Sequence, residues 1–252
     1  MAKDSGGRGA RASVWLEGEG RRKRGGGQPS GLDRQRITEA TVRLLDADGL
    51  AGFSMRRLAA ELSVTAMSVY WYVDTKDDLL ELALDSVYGE LRLPDPDADE
   101  DWREQLRALA AEYRSLLVRH PWLSPLAGTY LNIGPNSLAF SRVVQRVVRG
   151  SGAPAHRVTS VISAVFQFVY GYGTIEGHFY SRVADTGLTP DDFFEQAMTS
   201  VSEAPQTAEV IAESKDIMAA RGGDTVEEML ERDFVYALDL LIAGIEVMVE
   251  RG

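Results

Sequence analysis

Between Ser54 and Asp78 the chain reads SMRRLAAELSVTAMSVYWYVDTKDD, and this run narrows the possible folds more than any other. Leu58, Ala59 and Leu62 stand at i, i+1 and i+4, one face of a helix that opens behind Ser54 as its N-cap. Ser63 and Val64 interrupt the pattern. A second helix begins near Thr65, whose hydroxyl caps it, and Val69 returns an apolar side chain to the small core of Leu58 and Leu62. Two short helices meeting at a tight corner are a helix-turn-helix. Upstream, Asp33 to Gly49 sets Ile37, Ala40, Thr41, Leu44 and Leu45 at helical spacing, with Asp33 as cap and Gly49 as stop. Downstream, Thr75 and Asp78 stand in the capping-box relation ahead of the run LLELALDSVYGEL, which links this unit to the rest.

The face opposite Val69 carries Ala66, Met67, Ser68, Tyr70 and Tyr72. Small residues at the start of such a helix let its backbone approach the floor of a DNA major groove, where hydroxyls and methyls meet phosphates, base edges or thymine methyls. The net charge of −11 conceals a split that suits this partner. The first 76 residues hold 13 Lys and Arg against 9 Asp and Glu, and the remainder hold 14 against 29. A basic end meets phosphates, and an acidic body stays off the duplex.

The Gly-Leu-Ala-Gly-Phe-Ser link, the Arg56-Arg57-Leu58-Ala59 run, the segment Tyr70-Trp71-Tyr72-Val73 and Lys76 resemble the TetR-type bacterial transcriptional repressors over Leu32 to about Leu93. The closing FVYALDLLIAGIEVMVE is similar to the last helix of that family's tetracycline-repressor branch. The resemblance implies an all-α chain: a three-helix DNA-binding domain followed by a larger helical domain for ligand binding and dimerisation. Carried over by position, Arg56 falls on the arginine that reaches a base or a nearby phosphate. Ala66, Met67 and Ser68 fall on groove-facing positions, and Tyr70 and Lys76 on phosphate contacts. Trp71 and Tyr72 fall on the packing and backbone-contacting end, and Ser54 heads the same unit. The residue chemistry agrees, since an arginine fork suits guanine and a lysine point charge suits phosphate. Ala66, Met67 and Tyr72 replace the glutamine, proline and histidine of the tetracycline-repressor branch, so the operator sequence is expected to differ.

Residues 1–31 are expected to form a basic arm without a core of their own. Glycine recurs at 6, 7, 9, 18, 20, 25, 26, 27 and 31, leaving only Val14, Trp15 and Leu16 to bury. Arg21, Arg22, Lys23 and Arg24 lie about ten residues before the first helix and are assigned to DNA. Two readings stay open: an arm in the minor groove, as in homeodomains and in similar regulators of antibiotic-producing actinomycetes, or a tail that adds nonspecific affinity. Val14 to Leu16 either dock on a neighbouring surface or stay exposed.

Beyond Leu93 the run PDPDADED breaks the chain, and the expected organisation is an arm (1–31), a DNA-binding domain (32–78) and a body (79–252). Helices are expected over Asp101 to His120, about 121–130 and 135–150, Ala153 to Val183, and Val226 to Val249. The Ala153 helix is apolar nearly all round and carries Gly171, Gly173 and Gly177, which predicts close approach by a symmetry mate or a ligand. Met229, Leu230, Phe234, Leu238, Leu241, Ile242, Ile245 and Met248 of the final helix would supply the other half of a dimer interface. A homodimer also suits DNA geometry, because paired recognition helices span half-sites about 34–36 Å apart.

Aromatic and polar residues on inward helix faces are the candidates for an effector: Trp122, Tyr130, Asn136, Phe140, Phe166, Gln167, Tyr170 and Glu176, with His178 and Phe179 beside them. Gln167 leads, as a mid-helix amide among apolar neighbours that burial would force to find partners. Leu126 and the register of Glu176 depart from the magnesium ligands of the tetracycline-repressor branch, so no metal and no cofactor are expected. The three histidines have no metal-ligand spacing, and no nucleophile elbow or phosphate loop occurs, which argues against an enzyme. The lack of cysteine fits a reducing cytoplasm, and the breaks in Val158 to Ile175 argue against a membrane span. The expected protein is a ligand-responsive regulator, a repressor released from a palindromic double-stranded operator by a small aromatic effector. The alternative is a DNA-binding regulator without a small-molecule ligand.

Overall fold

A computed structural model of the chain describes residues 13–16, 31–95 and 100–251. Among the described residues the structure is all helical: α1 (Arg34–Gly52), α2 (Met55–Glu61), α3 (Ala66–Val69), α4 (Lys76–Tyr88), α5 (Trp102–Arg119), α6 (Leu123–Ala127), α7 (Pro135–Gly150), α8 (Val158–Ala184), α9 (Pro190–Glu203), α10 (Ala208–Arg221) and α11 (Val226–Glu250). They form two compact units, residues up to Leu93 with His120–Val143, and Pro94–Arg119 with Val144 onward. The division expected after Asp78 falls inside α4. Arg21, Arg22, Lys23 and Arg24 lie outside the described residues.

In the first unit each predicted cap is in place. Asp33 accepts from the Arg36 amide, Ser54 from Arg57, Thr65 from Ser68, and Thr75 from Asp78, whose carboxylate returns the bond to complete the capping box. Each cap satisfies an amide that the first turn leaves unpaired, typically worth about 1 kcal/mol. Gly49 takes φ 65°, a left-handed conformation that favours glycine, and the chain kinks there before a last turn to Gly52. α1 packs on α4 and α2, and α2 on α3. Ile37, Leu45, Leu58, Val69, Leu79 and Leu84 are fully buried among them. At roughly 1.5–3 kcal/mol per large apolar side chain, this shared core fixes a recognition helix of only four residues, too short to hold its shape alone.

The second unit is built on α5 and α8, its most extensive helix pair. The glycines of α8 explain how closely they approach. A Cβ at Gly177 would stand 2.9 Å from the backbone oxygen of Leu117, and one at Gly173 would stand 3.1 Å from Leu117 Cβ. The partner of these two glycines is therefore α5 of the same chain, not the symmetry mate or ligand expected from sequence. Gly171 has nothing within 4 Å of an added Cβ. Gly177→Ala should accordingly lose about 1–3 kcal/mol through overpacking against a carbonyl that cannot move aside. Gly171→Ala should be neutral or gain up to about 1 kcal/mol, and urea denaturation of the two variants checks the pair.

Two further expectations change here. α8 buries Val158, Val165, Val169, Gly173, Glu176, Gly177 and Val183, while Ile175 on another side is 73% exposed, so the helix is covered on one face only. In α11, Phe234, Leu238, Ile242 and Ile245 face inward within the chain rather than outward toward a partner. The large apolar side chains that α11 leaves exposed are Val235, Tyr236, Leu240, Val247 and Met248.

Candidate functional site

The helix-turn-helix sorts its polar residues into those used by the fold and those left outside it. Arg57 pairs with Asp48 at 2.6 Å and donates to the Gly52 carbonyl. Its neighbour Arg56 is exposed and, among the described residues, has no ion-pair or hydrogen-bond partner. Tyr72 donates to the Leu32 carbonyl at 2.6 Å, which ties the end of the tip to the start of α1. Lys76 donates to the Phe53 carbonyl at 3.2 Å and lies 5.3 Å from that ring's centre, with its ammonium on an otherwise exposed residue. Ser54 is engaged as a cap, and the Ser68 hydroxyl shares a hydrogen bond with Thr65 at 3.0 Å.

What remains is an outward set of Arg56, Met67, Tyr70 and Trp71, with Met67 at 69% exposure and Trp71 at 48%. A methionine and two aromatics in the open, beside an unpaired guanidinium, are costly for a surface with no partner. Ala66 and Ser68 flank them on the same one-turn helix. Small residues, apolar tips and a free arginine in this arrangement can enter a major groove and read base edges.

Sequence reasoning missed a second polar cluster that holds this head in place. His120, only 4% exposed, lies between two carboxylates, with Nδ1 2.6 Å from Asp46 Oδ1 of α1 and Nε2 3.2 Å from Glu90 Oε2 just beyond α4. Trp122 donates its indole N–H to the same Asp46 oxygen at 2.6 Å. An imidazole with an acceptor at each nitrogen is best satisfied as the cation. Burial works against that charge, and the bonds to Asp46 and Glu90 overcome it and raise the pKa. A raised folded-state pKa means stability that is complete below the unfolded value near 6.5 and lost as pH rises through the folded value. In that window the wild type should lose up to about 1.4 kcal/mol per pH unit more than His120→Gln, measured as denaturation midpoints across pH 6 to 9.

The candidate effector residues are not one set. Trp122 is buried in the cluster just described. Tyr130 donates to Asp77 at 3.1 Å, and burial together with the Asp77 charge pushes its phenol upward, so it stays a donor. Asn136 donates to the Asp85 carbonyl at 3.0 Å, and Phe140 lies 5.8 Å from Tyr88. In the second unit, both carboxylate oxygens of buried Glu176 are held by Arg114, at 2.6 and 2.9 Å, so it is an ion-pair member and not an open group awaiting a ligand. Arg114 also pairs with Glu231 of α11 and lies 4.5 Å from the Phe234 ring centre and 5.4 Å from that of Tyr172. The Tyr172 hydroxyl donates to the Leu230 carbonyl, and burial pushes it up to about 12. Gln167 is exposed, contrary to the buried amide expected, because it lies on the uncovered side of α8. Phe166 and Tyr170 are half-buried on the same helix, Phe166 6.1 Å from Tyr113.

Comparison with known proteins places these features in a context. Residues 37–83 match the family model "Bacterial regulatory proteins, tetR family", and residues 93–249 match "Tetracyclin repressor-like, C-terminal domain". The chain is 33% identical over 243 residues to the HTH-type transcriptional repressor DrrR1 of Streptomyces coeruleorubidus, covering 95% of this chain and 86% of that protein. It is 41% identical over 170 residues to an HTH-type transcriptional regulator of Saccharopolyspora erythraea, covering 68% and 70%. Among solved structures, ActR of Streptomyces coelicolor in complex with actinorhodin aligns with a TM-score of 0.67 at 25% identity, over 86% of this chain and 96% of that one.

Proposed function

The chain belongs to the tetR family of bacterial regulatory proteins, and on that premise we propose that it is a repressor that grips a palindromic operator as a homodimer and is released by a small aromatic effector. As a family member it is a DNA-binding transcriptional regulator and not an enzyme. The observation that carries the operator reading is the outward set Arg56, Met67, Tyr70 and Trp71, left over after the fold has used Arg57, Tyr72 and Thr65. Ser54, Ala66, Ser68, Tyr72 and Lys76 frame that set, and Arg21, Arg22, Lys23 and Arg24 add positive charge upstream. Cytoplasmic location goes with this function.

The exposed apolar side chains of α8 and α11, Ile175, Tyr236, Leu240, Val247 and Met248, support self-association. A two-fold pair lets the same patch cover itself and gives two reading heads for two half-sites. Within the second unit, the half-buried Phe166 and Tyr170 of α8 are the effector-facing residues we favour. Trp122, Tyr130, Asn136 and Glu176 are already engaged, and Gln167 contributes only if the second copy covers it. ActR, a protein of like fold solved in complex with actinorhodin, supports a ligand-responsive reading. The decisive experiment selects an operator from randomised duplexes and then screens aromatic natural products by thermal shift and operator release. A palindromic operator, and a compound that both raises the melting temperature and releases it, are the expected results. Binding without any responsive compound would leave a DNA-binding regulator with no small-molecule ligand.

A further inference from the structure

The segment Ser13–Leu16 is a tight turn, closed by Leu16 N–H to the Ser13 carbonyl at 3.3 Å and Trp15 N–H to Ser13 Oγ at 3.2 Å. It lies against the middle of α4. The Ser13 hydroxyl donates to Glu81 Oε2, and the Val14 amide donates to the same oxygen at 3.3 Å. Ser13 and Val14 are 2% and 3% exposed, and Glu81 is 7% exposed. A carboxylate that deep in an apolar helix face needs donors, and these two come from 68 and 67 positions away in the sequence.

One helical turn further along α4, Asp85 holds a different segment. It accepts from the Ser137 amide at 2.9 Å and the Asn136 amide at 3.3 Å at the start of α7. Gly134 makes this approach possible, since a Cβ there would stand 2.2 Å from Asp85 Oδ1. Trp15 shares a cleft with Leu84, Asp85, Tyr130, Gly134 and Ser137, so it sits where α4 meets the segment leading into α7. At its other end α4 is joined to the reading head by the Thr75 and Asp78 capping box and by Lys76 to the Phe53 carbonyl.

We propose that Ser13–Leu16 is a strap that docks on α4 and wedges it against the start of α7, and that this docking raises operator affinity by restricting the linking helix rather than by adding charge. The inference rests on the operator reading only for its second half. A linking helix free to pivot spreads the orientations of the reading head, and apparent affinity falls in proportion to the fraction of molecules in the matching orientation. The basic residues Arg21 to Arg24 follow the strap in sequence and act by a separate, salt-dependent route.

The test uses the full chain with Ser13→Asp, Trp15→Ala, Glu81→Gln and the Ser13→Asp/Glu81→Gln pair. Ser13→Asp sets a carboxylate against Glu81 and should lower the melting temperature by about 3 °C or more and speed amide exchange in residues 80–86. Combining it with Glu81→Gln removes the repulsion and should recover part of both losses, which a general folding defect would not do. Charge-neutral Trp15→Ala should weaken operator binding by about 5–10-fold with the slope of log Kd against log salt unchanged. Unaltered melting and exchange in Ser13→Asp would overturn the docking. A lowered melting temperature with full operator affinity, or a changed salt slope in Trp15→Ala, would overturn the coupling. Failure of the operator reading itself would show differently, as no specific binding by the wild type while the melting and exchange results still decide the docking.

Discussion

Replacing Arg114 by methionine is expected to destabilise the protein by about 3–5 kcal/mol, the largest loss of folding stability among the substitutions considered. Arg114 is 8% exposed, and its guanidinium joins three helices: bidentate to Glu176 of α8, paired with Glu231 of α11, and itself on α5. Burial works against its charge, and the bonds to Glu176 and Glu231 outweigh that and raise its pKa. The pair is worth little net against an apolar replacement, but one partner left alone is a buried charge without compensation. Methionine keeps the volume and the contacts with Phe234 and Tyr172, so the loss isolates the charge. Adding Glu176→Leu should restore most of the stability, because the buried carboxylate left without its counter-charge is then gone. Denaturant titration of the single and double variants measures both the loss and its recovery. A single variant as stable as the wild type would mean that water reaches Glu176.

The ion cluster was not legible in the sequence, and the reason is physical. Caps such as Asp33, Ser54, Thr65 and Thr75 act within one helical turn, so the residues that decide them are neighbours in the chain, and all four hold. Arg114 and Glu176 are 62 positions apart, and His120 and Asp46 are 74 apart. The one local sign was an acidic residue in the middle of the apolar run of α8, which demands a partner without naming it. The α8 glycines gave the same kind of half-answer: their number signalled close approach, and only packing identified Leu117 of α5 as what approaches. Gln167 failed for the opposite reason, since an amide amid apolar residues reads as buried whichever face a partner covers. α9 and α10 passed unnoticed, although Thr189 before Pro190 and two aspartates is a start signal that could have been read.

On DNA the two adjacent arginines of α2 should part company. Arg56→Ala, altered in both copies of a homodimer, should weaken operator binding by about 2–6 kcal/mol, roughly 30-fold to 10⁴-fold, if each guanidinium holds one guanine as a fork. Binding to random duplex should change little, and discrimination at one position of each half-site should relax. Arg57→Ala should act the other way, lowering thermal stability through the lost pair with Asp48 while leaving the base preference intact. An exposed pair of that kind contributes at most about 1 kcal/mol, so the variant remains folded and testable. Fluorescence anisotropy on operator and scrambled duplexes, each at several salt concentrations, separates the cases. Equal loss on both duplexes for Arg56→Ala, with the salt slope reduced by about one per site, would make Arg56 a phosphate clamp. Base reading would then fall to Met67, Tyr70 and Trp71, the other large side chains that the fold leaves exposed on that face.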